Sequence, residues 1–88
     1  MPRAYRIELT RAAERDLRGL SRDVLRRVDR KIQALSNDPR PHGSKKREGS
    51  ANTYRVRVGD YRILYEIEDT AILVLVVRVG HRREAYER

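Results

Sequence analysis

The stretch Tyr54 to Glu66, YRVRVGDYRILYE, constrains the fold of this chain more than any other. Its residues alternate on both sides of Gly59-Asp60, the pattern of a β-hairpin with a two-residue loop. Glycine at the first loop position suits a type II′ turn, which requires a positive φ there. With Gly59 and Asp60 as the loop, Val58 faces Tyr61, Arg57 faces Arg62, Val56 faces Ile63 and Tyr54 faces Tyr65. Side chains alternate across a strand. One face therefore carries Tyr54, Val56, Val58, Tyr61, Ile63 and Tyr65, and the other Arg55, Arg57, Arg62, Leu64 and Glu66. Like charges directly opposite one another across two strands are destabilising. Three arginines on one small patch thus call for a compensating partner, and a polyanion is the chemistry that fits.

The rest of the chain reads as support for that hairpin. AYRIELT, Ala4 to Thr10, alternates as a half-buried first strand, and Thr10 can cap the helix that follows. From Arg11 to Leu20, Ala13, Leu17 and Leu20 share one helical face; Gly19 and Ser21 then break and restart the chain. Ser21 caps a second helix running to about Ser36, with Leu25, Val28, Ile32 and Leu35 as a narrow apolar stripe. Asn37 to Asn52 holds Pro39, Pro41, Gly43 and Gly49 and has no apolar period, which predicts a surface loop bearing the basic tract Lys45-Lys46-Arg47. Ala71 to Val79 is apolar at nearly every position, as expected of a strand inside the sheet and covered on both faces. The short link Glu68–Thr70 makes it the antiparallel neighbour of Tyr61–Ile67. The first strand pairs at a sheet edge or beside this apolar strand, and the sequence leaves the choice open. The expected fold is α/β of the α+β type, one domain over residues 1–88 in the order β-α-α-β-β-β. A helical hairpin packs on a small, mainly antiparallel, twisted sheet.

Charge narrows the function. Within 88 residues, 21 Lys+Arg stand against 13 Asp+Glu, a net charge of +8 and a pI near 10.6. Lys31, Lys45 and Lys46 are the only lysines. Arginine's planar fork matches phosphate bidentately, which suits nucleic acid as partner, although composition alone fits a solvated basic surface equally well. A membrane surface fits less well, because no basic helix also presents a large apolar face with Trp or Phe. No apolar run approaches the roughly 20 residues that cross a bilayer. The N-terminal MPRAYRIEL lacks an apolar signal region, and cysteine is absent, so a cytoplasmic protein without disulfides is expected. His42 and His81 sit in unrelated contexts and no glycine-rich nucleotide loop is evident; no metal or cofactor is expected.

Two constellations remain for chemistry: the Arg55, Arg57, Arg62 face, and Arg78, His81, Arg82, Arg83 and Tyr86 where the apolar strand ends. Neighbouring strands would bring them to one concave surface, although the register, and with it the direction of His81 and Arg82, is open. Cations, one histidine and several tyrosines suit metal-independent RNA cleavage. A base takes the proton of a ribose 2′-OH, the oxygen attacks the adjacent phosphate, cations stabilise the dianionic transition state, and an acid protonates the leaving 5′-oxygen. Arginine can do the electrostatic work but, with a pKa above about 12, not the proton transfer. That task falls to Tyr86 or His81, and neighbouring arginines would favour a tyrosine phenolate. Tyr54, Tyr61 and Tyr65 read as core or sheet-face residues rather than stacking platforms.

The order KKREG, then YRVRVGDYRILYEI, then VVRVGHRREAY resembles the RelE/ParE toxin superfamily, and within it the RelE ribosome-dependent mRNA endoribonucleases. The resemblance spans essentially the whole chain. It implies a toxin of a type II toxin–antitoxin system that enters the ribosomal A site and cuts mRNA. It also implies a cognate RelB-like antitoxin, with operator DNA contacted only through the toxin–antitoxin complex. By position it places the family's two basic residues of the first hairpin strand on Arg55 and Arg57, its hairpin arginine on Arg62, its late catalytic arginine on Arg82 and its tyrosine on Tyr86. Arg62 and Arg82 would hold the scissile phosphate, Tyr86 would stack on a base or assist the 2′-OH, and His81 would be an additional acid or base. Lys45 and Lys46 are expected to add phosphate contacts. The same superfamily includes ParE-type gyrase inhibitors, the alternative function, and a non-catalytic basic binding module is a third.

Overall fold

A computed structural model describes residues 4–81. Both helices begin where a hydroxyl can cap them. Thr10 Oγ1 accepts from the Ala13 N–H at 3.0 Å and starts α1, Arg11–Arg18. Ser21 Oγ accepts from the Val24 N–H at 3.4 Å and starts α2, Arg22–Ala34. Gly19 ends α1, its N–H returning to the carbonyls of Asp16 and Leu17. Before α1 lies β1, Arg6–Leu9; after α2 come β2, Lys45–Lys46, β3, Thr53–Val58, β4, Tyr61–Glu68, and β5, Leu73–His81. They form one sheet in the order β1-β5-β4-β3-β2. β1 runs parallel to β5, and every other pair is antiparallel.

The helices cover one face of this sheet. Ala13, Val28, Ile32 and Leu35 pack there against Val56, Ile63, Tyr65, Ile67, Val74, Val76 and Val79. The apolar stripe of α2 differs by one residue from the expected one. Val24 joins the core cluster and Leu25 is 36 % exposed. The spacing Val24–Val28–Ile32–Leu35 also satisfies a helical face, and the position of the sheet decides between two adjacent apolar residues.

The open question about the first strand resolves in favour of both alternatives, since β1 is an edge strand and lies beside β5. A parallel pairing needs a long crossover, which the helical hairpin supplies. The strand expected over Ala71–Val79 begins later, at Leu73, after a turn in which Ile72 adopts φ 51°. It lies inside the sheet but is not covered on both faces: Val74, Val76 and Val79 are buried, whereas Leu73, Leu75 and Val77 are half-buried. With the helices packed on one face, an apolar run still alternates in burial.

The segment 37–52 is not the structureless loop its composition predicts. Pro39 is buried, and its carbonyl accepts from the hydroxyl of fully buried Tyr65 at 2.8 Å. Burial is the first reason that this phenol is pushed up to about 12. Arg40 lies over the Tyr54 ring, 5.2 Å from its centroid, and pairs with Asp69 at 2.9 Å. Tyr5 donates to the same carboxylate at 2.7 Å. The hydrogen bond from Arg40 and then that from Tyr5 hold Asp69 below the usual carboxylate range. Beyond this anchor Lys45 and Lys46 form β2 on the outer edge of β3, so the basic tract is a strand.

Candidate nucleic-acid interface

The hairpin turns as its sequence predicts. Gly59 has φ 58° and Asp60 keeps a negative φ, the sign pattern of a type II′ turn. Val58 pairs with Tyr61, Arg57 with Arg62, Val56 with Ile63, Arg55 with Leu64 and Tyr54 with Tyr65. In a two-residue hairpin the pair beside the turn is hydrogen-bonded. Arg57 and Arg62 therefore form the next, non-hydrogen-bonded pair, in which side chains stand closest. They lie on the sheet face opposite the core residues Val56 and Ile63, away from the helices. Arg57 is exposed, Arg55 and Arg62 are half-buried, and the Arg62 Nε is shielded from water. Partial desolvation strengthens the field this guanidinium presents to an anion. Leu64, 8 % exposed, is the apolar floor of the face. Glu66 shares it but stands four residues along β4 from Arg62, about 13 Å at 3.3 Å per residue.

Register sorts the two lysines. Lys45 is the partner of Arg55 and joins the arginine face, whereas Lys46 is the partner of Tyr54 and falls on the other side. Lys46 instead lines, with Lys45, Arg47, Arg55, Thr53 and the acidic Glu48, a groove along the outer edge of the sheet. The cationic surface thus runs from Arg62 across Arg57, Arg55 and Lys45 to the rim at Arg47. The part played by Arg47 and the groove was not legible beforehand, because nothing in a Pro- and Gly-rich segment signals a two-residue edge strand.

The register of β5 is now defined as well. Tyr61 pairs with His81, Arg62 with Gly80, Ile63 with Val79 and Leu64 with Arg78. Gly80 stands directly opposite Arg62, so no Cβ crowds the arginine from that side. His81 lies on the Tyr61 side of the sheet, its ring edge-on to Tyr61 at 5.4 Å between centroids, in a hollow shared with Arg15, Asp16 and Leu20. It therefore faces the helices and not the arginines. Arg78 turns to α1, its Nε donating to Asp16 Oδ2 at 2.8 Å. The structure thus gathers Lys45, Arg55, Arg57 and Arg62 on one face, brings Lys46 to Lys45 and Arg55 only along the edge groove, and turns His81 and Arg78 toward the helices. Arg82, Arg83 and Tyr86 lie outside the described residues. Chemically, the gathered groups can bind phosphate and stabilise charge that develops on it; arginine does not exchange protons near neutral pH.

A five-stranded mixed sheet, a capped helical hairpin on one face and a row of arginines on the other define a small toxin class. The chain belongs to the RelE/ParE superfamily, as a RelE-like toxin of a type II toxin–antitoxin system: the profile of the family described as "ParE toxin of type II toxin-antitoxin system, parDE" matches residues 7–86. Toxin RelG of Mycobacterium tuberculosis is 36 % identical over 85 residues, 96 % of this chain and 98 % of that protein. The mRNA interferase toxin RelE of Escherichia coli is 26 % identical, over 93 % of this chain and 87 % of that one. Among solved structures, a chain of the toxin–antitoxin complex RelBE2 from Mycobacterium tuberculosis superposes with a TM-score of 0.81 at 34 % identity, covering 93 % of this chain and 95 % of that one. The isolated E. coli RelE toxin superposes with a TM-score of 0.80 at 25 % identity, covering 89 % and 84 %.

Proposed function

We propose that this toxin is a ribosome-dependent mRNA endoribonuclease that works without a metal, and that a RelB-like antitoxin neutralises it. The observation that carries the reading is the direct opposition of Arg57 and Arg62 on the face away from the helices. Two like charges at the closest type of cross-strand position repel, and an anion held between them offsets that repulsion. An mRNA phosphate seated there meets fixed donors on both sides, and Arg55 and Lys45 extend the contact along the backbone. As the 2′-oxygen attacks, charge accumulates on the equatorial oxygens, and Arg62, joined by Arg82, stabilises it. Proton transfer is assigned to Tyr86 in preference to His81, because His81 packs edge-on to Tyr61 on the helix side. The roles of Arg82 and Tyr86 rest on the resemblance of VGHRREAY to the family's terminal motif. The proposal is supported by the names of relatives such as the E. coli mRNA interferase RelE, and the antitoxin partner by structural relatives solved as RelB–RelE complexes.

The test is induction of the toxin followed by mapping of mRNA 5′-ends, with translation running and with it blocked. Codon-phased ends that require translation are expected, and Arg62→Ala should reduce them about a hundredfold, the usual cost of one transition-state donor, while leaving the fold intact. Arg62→Ala cutting at the parental rate would refute the mechanism. The matching family is described by its ParE members, so plasmid supercoiling is measured in the same cells. Loss of supercoiling without mRNA cuts would assign the chain to gyrase inhibition, and growth without arrest to a binding module.

A further inference from the structure

β1 accompanies β5 only as far as Leu9 opposite Val76, yet β5 continues to His81. Beyond that point its outer edge meets α1. Thr10 donates through its N–H to the Val76 carbonyl at 3.0 Å and through its hydroxyl to the Val77 carbonyl at 2.7 Å. Asp16, one turn and a half further along α1, accepts the Val79 N–H on Oδ2 at 2.9 Å. The same carboxylate takes the Arg78 guanidinium on both oxygens, at 2.8 and 3.2 Å. Its side chain is 15 % exposed. These four contacts fall on the one place where β5 is irregular. Tyr65 pairs with Val76 and Leu64 with Arg78, so Val77 is an extra residue without a partner on β4.

The extra residue matters because the side-chain period of a strand is two. A slip of one residue moves every following side chain to the other face. With the bulge, Gly80 stands opposite Arg62 and His81 goes to the helix side. Were Val77 absorbed into the ladder, Val79 would stand opposite Arg62 in place of Gly80, and His81 would move to the arginine face. The slip would also put Arg78 opposite Ile63 on the core face, so the apolar pattern favours the bulge, and the contacts from α1 hold it there directly.

We propose that α1 is a register clip for the end of β5, and that Asp16 is a positioning residue for the arginine site. By fixing Arg78 and the Val79 N–H, Asp16 sets the faces that Gly80 and His81 take beside Arg62. The inference rests on the endoribonuclease reading for its effect on rate, but not for its effect on the strand. It also gives Arg78 a place: this arginine serves the clip and not the phosphate.

Two measurements on the toxin purified from its complex test it. Amide hydrogen exchange reads the clip directly. Asp16→Ala should speed exchange at Val79–His81 at least tenfold while β3 and β4 amides keep their protection. Single-turnover mRNA cleavage on programmed ribosomes reads the consequence. Asp16→Ala should lower the saturated rate about a hundredfold, the cost of a misplaced catalytic geometry, with the half-saturating ribosome concentration within twofold of the parent. Arg78→Gln, which leaves Asp16 to hold the Val79 N–H, should keep most of the protection and most of the rate; if Asp16→Ala fails to fold, Asp16→Asn, which weakens both contacts of this carboxylate, is measured in its place and should show the same two effects in smaller degree. Unchanged exchange at Val79–His81 in Asp16→Ala would overturn the clip. Faster exchange with a parental cleavage rate would overturn the positioning role. A rate loss carried by weaker ribosome binding would also count against it. A parent protein that does not cut mRNA would overturn the endoribonuclease reading and leave the exchange result to decide the clip.

Discussion

Removing one of two opposed arginines should make this protein more stable and less able to bind RNA. Arg57 and Arg62 are direct cross-strand partners of the closely spaced type. Two unit charges about 6 Å apart in water repel by roughly 0.7 kcal/mol, and cross-strand pairs as a class contribute about 0.2–1 kcal/mol. Arg57 is exposed, so Arg57→Gln removes charge and little packing. The relief of about 0.5–1 kcal/mol corresponds to a rise in melting temperature of about 2–6 °C for a chain of this size. Thermal unfolding followed by circular dichroism in about 0.01 M salt is the assay, repeated near 1 M, where the screening length falls to about 3 Å and the gain should disappear. Arg57→Lys keeps the charge and should show no gain. In parallel, the slope of log affinity for single-stranded RNA against log salt should fall by about 0.7 for the lost phosphate contact. Destabilisation by Arg57→Gln at low salt would refute the claim that this pair is held against its own repulsion. A gain that persists unchanged at high salt would show that the cause is not charge.

Three further outcomes follow from the same contacts. Tyr65→Phe should cost about 1–2 kcal/mol near neutral pH, because it leaves the Pro39 carbonyl buried without its donor. The parent should also lose roughly 3 kcal/mol as pH rises from about 10, the unfolded phenol, through about 12, the folded one; the variant should lack this alkaline loss in denaturant titrations. Asp69 has its pKa lowered in the fold, so its contribution is present above the ordinary carboxylate range and fades as pH falls through the depressed value. Asp69→Asn should therefore raise the rate of proteolysis within residues 37–44 at pH 7 and flatten its acid dependence. Gly59→Ala should cost about 1–2 kcal/mol in chemical denaturation, from the positive φ alone. The new Cβ would meet only the far end of the Arg27 side chain, Nη1, at 3.3 Å.

What the sequence reveals here follows the range over which each interaction acts. The hairpin register from Tyr54 to Tyr65 and the caps Thr10 and Ser21 were legible, because a two-residue turn and an N-cap are settled within a few residues. The choice between Val24 and Leu25 was not, since both lie near the stripe and the sheet selects one. The side taken by His81 was not legible either. It depends on a bulge at Val77, and that bulge is held by Thr10 and Asp16, which precede it by more than sixty positions in the chain. Lys45 and Lys46 read as one basic tract, yet strand alternation sends them to different sides. Charge composition pointed to a polyanion but could not tell that Arg78 pairs with Asp16 of α1, whereas Arg62 stands on the sheet face away from the helices.

The parallel pairing of β1 with β5 has a consequence for when this molecule comes into being. Arg6 waits for Leu73, and Leu9 for Val76. During synthesis, then, the strand made first has no neighbour until the strand made after every other element of the sheet has emerged. Until that moment α1 has no edge to lie along, Arg62 has no Gly80 opposite it, and the core lacks Val74, Val76 and Val79. Such distant pairing makes folding a late and concerted event. A chain still being translated has the arginines of its hairpin but not the surface that would aim them, so the ribosome that makes this toxin holds it in an unassembled form until β5 is free.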